Sequence, residues 1–347
     1  MFTKKSVGLD IADHTIEVAG LLQSIFSSKP IVSGLGRLSL EPGIVEHGRI
    51  LSKKRLQESL LEVFESALPN PLTPTSVVLG LPERQVYTSI ITIPCDRKNI
   101  YEQALSAAQE TIPLDKDDLS LSYSVLSSNE QGCEVLLYAA SKEVLLEWSE
   151  FCSESGIRFT TFDHELLAII RGLFGSTASN PLCIIDLGAE RTKIGVYSKR
   201  GLQYVYAVER AGDYFTAELS KSLGLQMSDA EKVKREEGMK NEKARVLFEK
   251  LLEPILLEIR TALAYYKNSQ NAEIKEVILV GGSSQLPGLK EYFTDILKVS
   301  VSHGSPFLLP APLDVNDLSR LHYIEALGLA LRGLDKKWER INPSLKL

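Results

Sequence analysis

The sequence predicts an α/β protein of two lobes, each opening on the same strand–turn–strand plan, with an α+β subdomain inserted in the first lobe. Three stretches carry that expectation. The first is Val7-Gly8-Leu9-Asp10-Ile11-Ala12-Asp13-His14-Thr15, and the second is Leu182-Cys183-Ile184-Ile185-Asp186-Leu187-Gly188-Ala189-Glu190-Arg191-Thr192. In each, an apolar strand ends in Asp, a small residue follows two places later, and an alternating strand comes after the turn. A small residue in such a turn lets backbone N–H groups approach a phosphate closely. The Asp can hold a hydrated divalent cation beside that phosphate. The third stretch, Val277-Ile278-Leu279-Val280-Gly281-Gly282-Ser283-Ser284-Gln285-Leu286-Pro287-Gly288-Leu289, supplies a strand, a glycine pair and a helix start. Two facing turns and this third element describe a two-lobed nucleotide cleft.

The elements follow in order. Residues 7–9, 15–22 and 31–40 read as strands, and 52–68 as a helix whose apolar face is Leu56, Leu60, Val63, Phe64 and Ala67. Pro69, Pro71 and Pro74 end it. Residues 76–81 form a short apolar run, the signature of a buried strand. From 82 to 156 the order is strand, helix, two strands and helix, a small α+β insert with Gly156 closing its last helix. Residues 163–174 read as a helix. The second lobe repeats the first, with strands at 182–186, 192–197 and 202–208 and helices at 213–223 and 228–237. A long helix over 241–269 carries the stripe Leu247, Leu251, Ile255, Ile259, Leu263 and Tyr266, with a kink or break expected at Pro254. Residues 323–334 read as a final helix, followed by a polar tail. The expected boundaries are a first lobe of 1–81 with 157–180 and 320–347 returning to it, an insert of 82–156, and a second lobe of 181–319.

The 347 residues suffice for two domains with separate cores. A net charge of −6 without a basic stripe argues against a nucleic-acid surface. No apolar run reaches the length of a membrane helix, and the Met1 end lacks a secretory pattern because Asp10 interrupts it. Cys95, Cys133, Cys152 and Cys183 lack metal-ligand spacing and read as reduced residues of a cytoplasmic protein. The histidines form no pair at zinc-ligand spacing. Trp338, Ile341 and Leu345 have rough helical spacing, but Pro343 breaks the stripe and its apolar face is too small for a membrane-surface helix.

These stretches resemble the actin-like ATPase superfamily, whose duplicated ribonuclease-H-like fold also serves sugar kinases. The order of elements is similar to one branch, the pilus assembly proteins of the PilM type and the cell-division proteins of the FtsA type. Both carry an inserted subdomain where 82–156 lies here. The resemblance spans nearly the whole chain. It is carried by Val280 to Leu289, by Gly80-Leu81-Pro82, by Leu136 to Val144, and by the helix Tyr323-Ile324-Glu325-Ala326-Leu327-Gly328-Leu329-Ala330-Leu331-Arg332-Gly333. It implies ATP with Mg²⁺. Asp10, Ala12, Asp13, His14 and Thr15 would form the first phosphate loop, and Asp186, Gly188 and Thr192 the second. Asp186 and Asp10 would partner the hydrated metal. Gly281, Gly282 and Ser283 would line the adenosine pocket, with Glu231, Lys234 and Arg235 on the helix that packs against it.

Ala12 stands where that family usually has Gly, Asp13 where it has Ser or Thr, and Glu17 where it has a phosphate-binding Lys. A charge pair at about 4 Å and an effective dielectric of ~20 is worth roughly 4 kcal/mol, so these carboxylates predict a weak or absent nucleotide response.

The function implied by the resemblance is a cytoplasmic actin-like scaffold of type IV pilus, or related secretion, assembly. Such proteins bind the short cytoplasmic N-terminal segment of a PilN-type inner-membrane protein, between the first lobe and the insert, and meet the membrane only through partners. Pilus motor components are further implied partners. The alternatives are an FtsA-like division protein and an enzyme of the sugar-kinase or exopolyphosphatase type. No independent catalytic motif supports the enzyme, and no catalytic residue is assigned.

Overall fold

A computed structural model describes residues 3–27, 29–96, 99–130, 132–175, 178, 180–308, 318–335 and 345. Trp338, Ile341 and Pro343 of the terminal stripe lie outside them. In chain order the elements are β1 (Thr3–Ile11), β2 (Thr15–Ser24), β3 (Ile31–Ser39), the short β4 (Val45–Glu46) and β5 (Arg49–Ile50), α1 (Lys53–Glu65), β6 (Leu68–Pro69), β7 (Thr75–Gly80), β8 (Val86–Ile93), α2 (Ile100–Thr111), β9 (Leu119–Asn129), β10 (Gly132–Ser141), α3 (Lys142–Glu154), β11 (Arg158–Asp163) and α4 (Glu165–Phe174). There follow β12 (Leu182–Leu187), β13 (Thr192–Ser198), β14 (Gly201–Val208), α5 (Gly212–Leu223), α6 (Met227–Glu236), α7 (Glu242–Gln270), β15 (Glu276–Val280), α8 (Leu289–Leu297), β16 (Ser300–His303) and α9 (Ile324–Leu334). Two compact units result. Unit 1 is Met1–Thr177 with Pro306–Val315 and Tyr323–Leu347, and unit 2 is Ala178–Ser305 with Asn316–His322.

Unit 1 contains a six-stranded sheet in the order β11-β7-β1-β2-β3-β6. Its strands bury side chains on both faces, as the period of two requires. Val7, Leu9 and Ile11 join Leu56, Leu60 and Val63 of α1 and Trp148 and Phe151 of α3 in one core. Ala19 and Leu21 of β2 pack on Ala326, Leu327 and Ala330 of α9 in another. The α4–α9 contact runs backbone to backbone. A Cβ on Gly328 would lie 1.8 Å from the Ala168 carbonyl oxygen, so only glycine permits this approach. Beside it, the Asp163 carboxylate bonds the guanidinium groups of Arg171 and Arg332, and Arg171 Nε donates to the Gly328 oxygen at 3.0 Å. All three charged side chains are buried and paired.

A separate three-stranded sheet, β8-β10-β9, carries α2. Its central strand is buried on both sides. Cys133, Val135, Leu137 and Ala139 face Ala104 and Ala108 of α2, whereas Tyr138 and Ala140 face the core that holds Trp148 and Phe151. Unit 2 is a five-stranded sheet in the order β14-β13-β12-β15-β16, with α5, α7 and α8 completing its core.

Several expectations change. Residues 158–163 are a strand parallel to β7, and the helix after it starts at Glu165 with His164 as N-cap. The strand follows α3 after only three residues, 155–157, which hides it in the sequence. Pro254 does not break α7, because Leu251, Leu252, Ile255 and Leu256 stay buried on both sides of it. That burial outweighs a proline cost of about 3 kcal/mol. Cys95 and Cys133 are not reduced but paired as a disulfide across the β8–β10 ladder, where Cys133 faces Ile93. Their Cα atoms are 4.9 Å apart, a separation that bridging requires.

Candidate functional site

The first phosphate-type turn lies in unit 1, between β1 and β2. Ala12 N–H donates to the Thr15 oxygen at 2.9 Å and Leu40 N–H to the His14 oxygen at 2.7 Å, which fixes the turn against the end of β3. Asp10, the last residue but one of β1, is in register with Glu17, so their side chains share one face of the hairpin. The Asp13 carboxylate accepts the backbone N–H groups of His47 at 2.5 Å and Gly48 at 3.1 Å. It holds the β4–β5 connection rather than standing open to a ligand. Glu17 is buried and pairs with Arg37 at 2.8 Å. Burial pushes its pKa up to about 7, while the Arg37 charge and hydrogen bond and a Thr15 hydrogen bond oppose the rise. Both anomalous carboxylates of the loop therefore have partners inside unit 1.

Carboxylate oxygens of Asp10, Glu165 and Glu325 lie within 4.8 Å of one another, a hard oxygen donor set. The Tyr138 hydroxyl is buried without a hydrogen-bond partner. Burial raises its pKa, and the Glu165 charge raises it further.

The second turn lies in unit 2 between β12 and β13. Gly188 N–H donates to the Arg191 oxygen at 3.1 Å, and the Gly188 oxygen accepts Gly212 N–H at 3.2 Å and Ser283 Oγ at 2.6 Å. Thus Gly188 and Ser283, remote in sequence, meet at the start of α5. Lys234 is 7% exposed. Its Nζ donates to the Gly212 oxygen at 2.9 Å and to Thr216 Oγ1 at 2.8 Å, and pairs with Glu231 at 2.6 Å. Lys234 is thus buried rather than on a solvated helix face, whereas Glu231 is partly exposed and Arg235 beside them is exposed. Thr192 is buried and donates to the Arg210 oxygen at 2.7 Å, so it shapes the hairpin. Gly281 has φ +82°, and a Cβ there would lie 2.4 Å from Asp186 Oδ1. Gly282 is exposed, and a Cβ there would meet nothing nearer than His322 Cε1 at 3.7 Å. The space beside its Cα is open.

Asp186 does not fit the hydrated metal expected of it. Lys193 Nζ lies 3.0 Å from Asp186 Oδ2, and the two side chains are 13% and 10% exposed. The carboxylate already has a cation. Lys193, Glu165, Glu325 and Gly212 are absent from the sequence-based site. The signal for Lys193 was available: counting back across the turn pairs Lys193 with Asp186, as Glu17 pairs with Asp10.

Comparison with known proteins completes the assignment. No curated protein sequence matches the chain. The solved structure of a PilM-PilN type IV pilus biogenesis complex matches at a TM-score of 0.80 and 22% identity, covering 95% of this chain and 98% of that chain. The ethanolamine utilization protein EutJ from Carboxydothermus hydrogenoformans matches at 0.56 and 16% identity, covering 94% of this chain and 89% of that one. MreB 5 of Spiroplasma citri bound to AMPPNP matches at 0.55 and 14% identity, covering 97% of each. These likenesses establish the actin-like fold that the sequence predicts. The family described as type IV pilus assembly protein PilM matches residues 8–334. The chain spans that family from its first phosphate-type strand to the end of α9, and it belongs to the type IV pilus assembly protein PilM family.

Proposed function

We propose that the chain is a cytoplasmic actin-like scaffold of pilus assembly that holds the cytoplasmic N-terminal segment of a PilN-type inner-membrane protein, and so meets the membrane through its partner. The observation that carries this reading is the family match over 8–334. The PilM-PilN complex, which covers 95% of the chain, supports the choice of partner. No described helix is long and apolar enough to cross a membrane. The three-stranded sheet of unit 1 supports the docking mode. β8 and β9 are its outer strands, so half of their backbone groups point away from the sheet. Side chains from Val86 to Ile91 are half-buried, a surface suited to an extended segment with alternating apolar residues.

An adenine nucleotide is the proposed small ligand. Gly281, Gly282 and Ser283 would approach the base and sugar, and the turn at Gly188 the phosphates. Its role is that of a conformational ligand rather than a turned-over substrate. The experiment is co-purification of the tagged chain with the full-length PilN-type protein of the same genome, against a version lacking its cytoplasmic segment. Retention of the first and loss of the second is expected; equal recovery of both overturns the docking mode.

A further inference from the structure

The two phosphate-type hairpins carry opposite charges at equivalent positions. In the first, Asp10 is in register with Glu17. In the second, Asp186 is in register with Lys193. Cross-strand partners on one face of a hairpin stand close enough to pair, and Lys193 Nζ lies 3.0 Å from Asp186 Oδ2 in a largely buried setting. The surroundings hold the pair in place. Gly281, at φ +82°, brings its backbone so close that a Cβ would reach Asp186 Oδ1 at 2.4 Å. Thr192, the residue before Lys193, is buried and tied to the Arg210 oxygen.

We infer that the Lys193 ammonium takes the place of a divalent cation on Asp186, so that this loop neutralises an anionic ligand without metal. A divalent ion seeking Asp186 meets a carboxylate whose charge is already balanced and an ammonium that repels it. Lys193 also supplies the second loop with the cation that Glu17 denies the first. The ligand class is a phosphorylated anion, and its identity as a nucleotide rests on the function proposed above.

The test is a Mn²⁺ titration followed by electron paramagnetic resonance on the full chain, wild type and with Asp186→Asn, Lys193→Met, Lys193→Arg and the double variant Lys193→Met/Asp186→Asn. The Met variant gains a Mn²⁺ site that binds at least about tenfold more tightly than the wild type does. The Arg variant, which keeps the charge, gains none, and the double variant loses the gained site. A wild-type Mn²⁺ site that disappears in Asp186→Asn overturns the inference, and so does a folded Lys193→Met protein with no gained site. Circular dichroism establishes folding; should the Met variant unfold, Lys193→Gln takes its place. A parallel calorimetric titration with ATP, in EDTA and in excess Mg²⁺, separates the two readings. Equal affinity in both solutions supports the substitution, and affinity that requires Mg²⁺ and is lost in Asp186→Asn refutes it. No heat in either solution sinks the nucleotide reading, while the Mn²⁺ result still decides the role of Lys193.

Discussion

Glu17→Gln tests the physical reading of the first loop. Glu17 is 5% exposed and lies 2.8 Å from Arg37. Burial is the larger influence, and it lifts the carboxyl pKa from 4.5 to about 7. Below about pH 4.5 the folded and unfolded chains both hold the proton, and the contribution of Glu17 is fully present. As pH rises, the unfolded chain releases its proton first and the folded chain resists. Stability is therefore lost up to about pH 7, where the folded carboxyl ionises too. At about 1.4 kcal/mol for each pH unit, the interval amounts to about 3 kcal/mol as an upper figure. Glutamine keeps the shape and cannot ionise. Urea unfolding of both proteins at about pH 5, 6, 7 and 8 reads the effect, because other groups cancel in the difference. The wild type should lose up to about 3 kcal/mol relative to the variant across that range. Parallel pH profiles, or a wild type that gains stability against the variant as pH rises, refute the dominance of burial over the Arg37 pair.

Other outcomes follow from the same structure. Asp163→Ala leaves Arg171 and Arg332 buried without their carboxylate and should lower stability by about 3–5 kcal/mol, read by denaturant unfolding. Gly328→Ala sets a methyl group 1.8 Å from the Ala168 oxygen. The α4–α9 contact must open, at a cost of about 1–3 kcal/mol, visible as a lower Tm. The native protein should not react with a thiol reagent. Cys152 and Cys183 are buried, which pushes each thiol up to about 12, and Cys95 and Cys133 are bonded together. Denaturation should release two thiols without reductant and four with it.

The fold was legible where patterns were regular. The paired Asp turns, the apolar run before Gly281 and the glycine-bearing helix of residues 324–334 gave the duplicated plan, and β8, β10 and α3 fell close to their expected bounds. Residues 158–163 escaped because an amphipathic segment that follows a helix after a three-residue turn has no flanking proline or glycine run to separate it. The site was legible as loops but not as charges. Sequence spacing puts Asp13 and Glu17 beside a phosphate, yet Asp13 bonds to the backbone at 47–48 and Glu17 to Arg37, partners more than 15 residues away that spacing along the loop does not reveal. The disulfide was hidden for the same reason, since Cys95 and Cys133 are 38 residues apart in sequence and adjacent only through the β8–β10 ladder.

The central claim is that an extended partner segment docks on unit 1. Hydrogen–deuterium exchange of the chain, alone and with a synthetic peptide of the PilN-type cytoplasmic segment, tests it most directly. The account predicts slowed exchange in the turn before β8 and along Val86–Ile93, where outward backbone groups gain partners. Unchanged exchange at saturating peptide, or protection confined to unit 2, would contradict it.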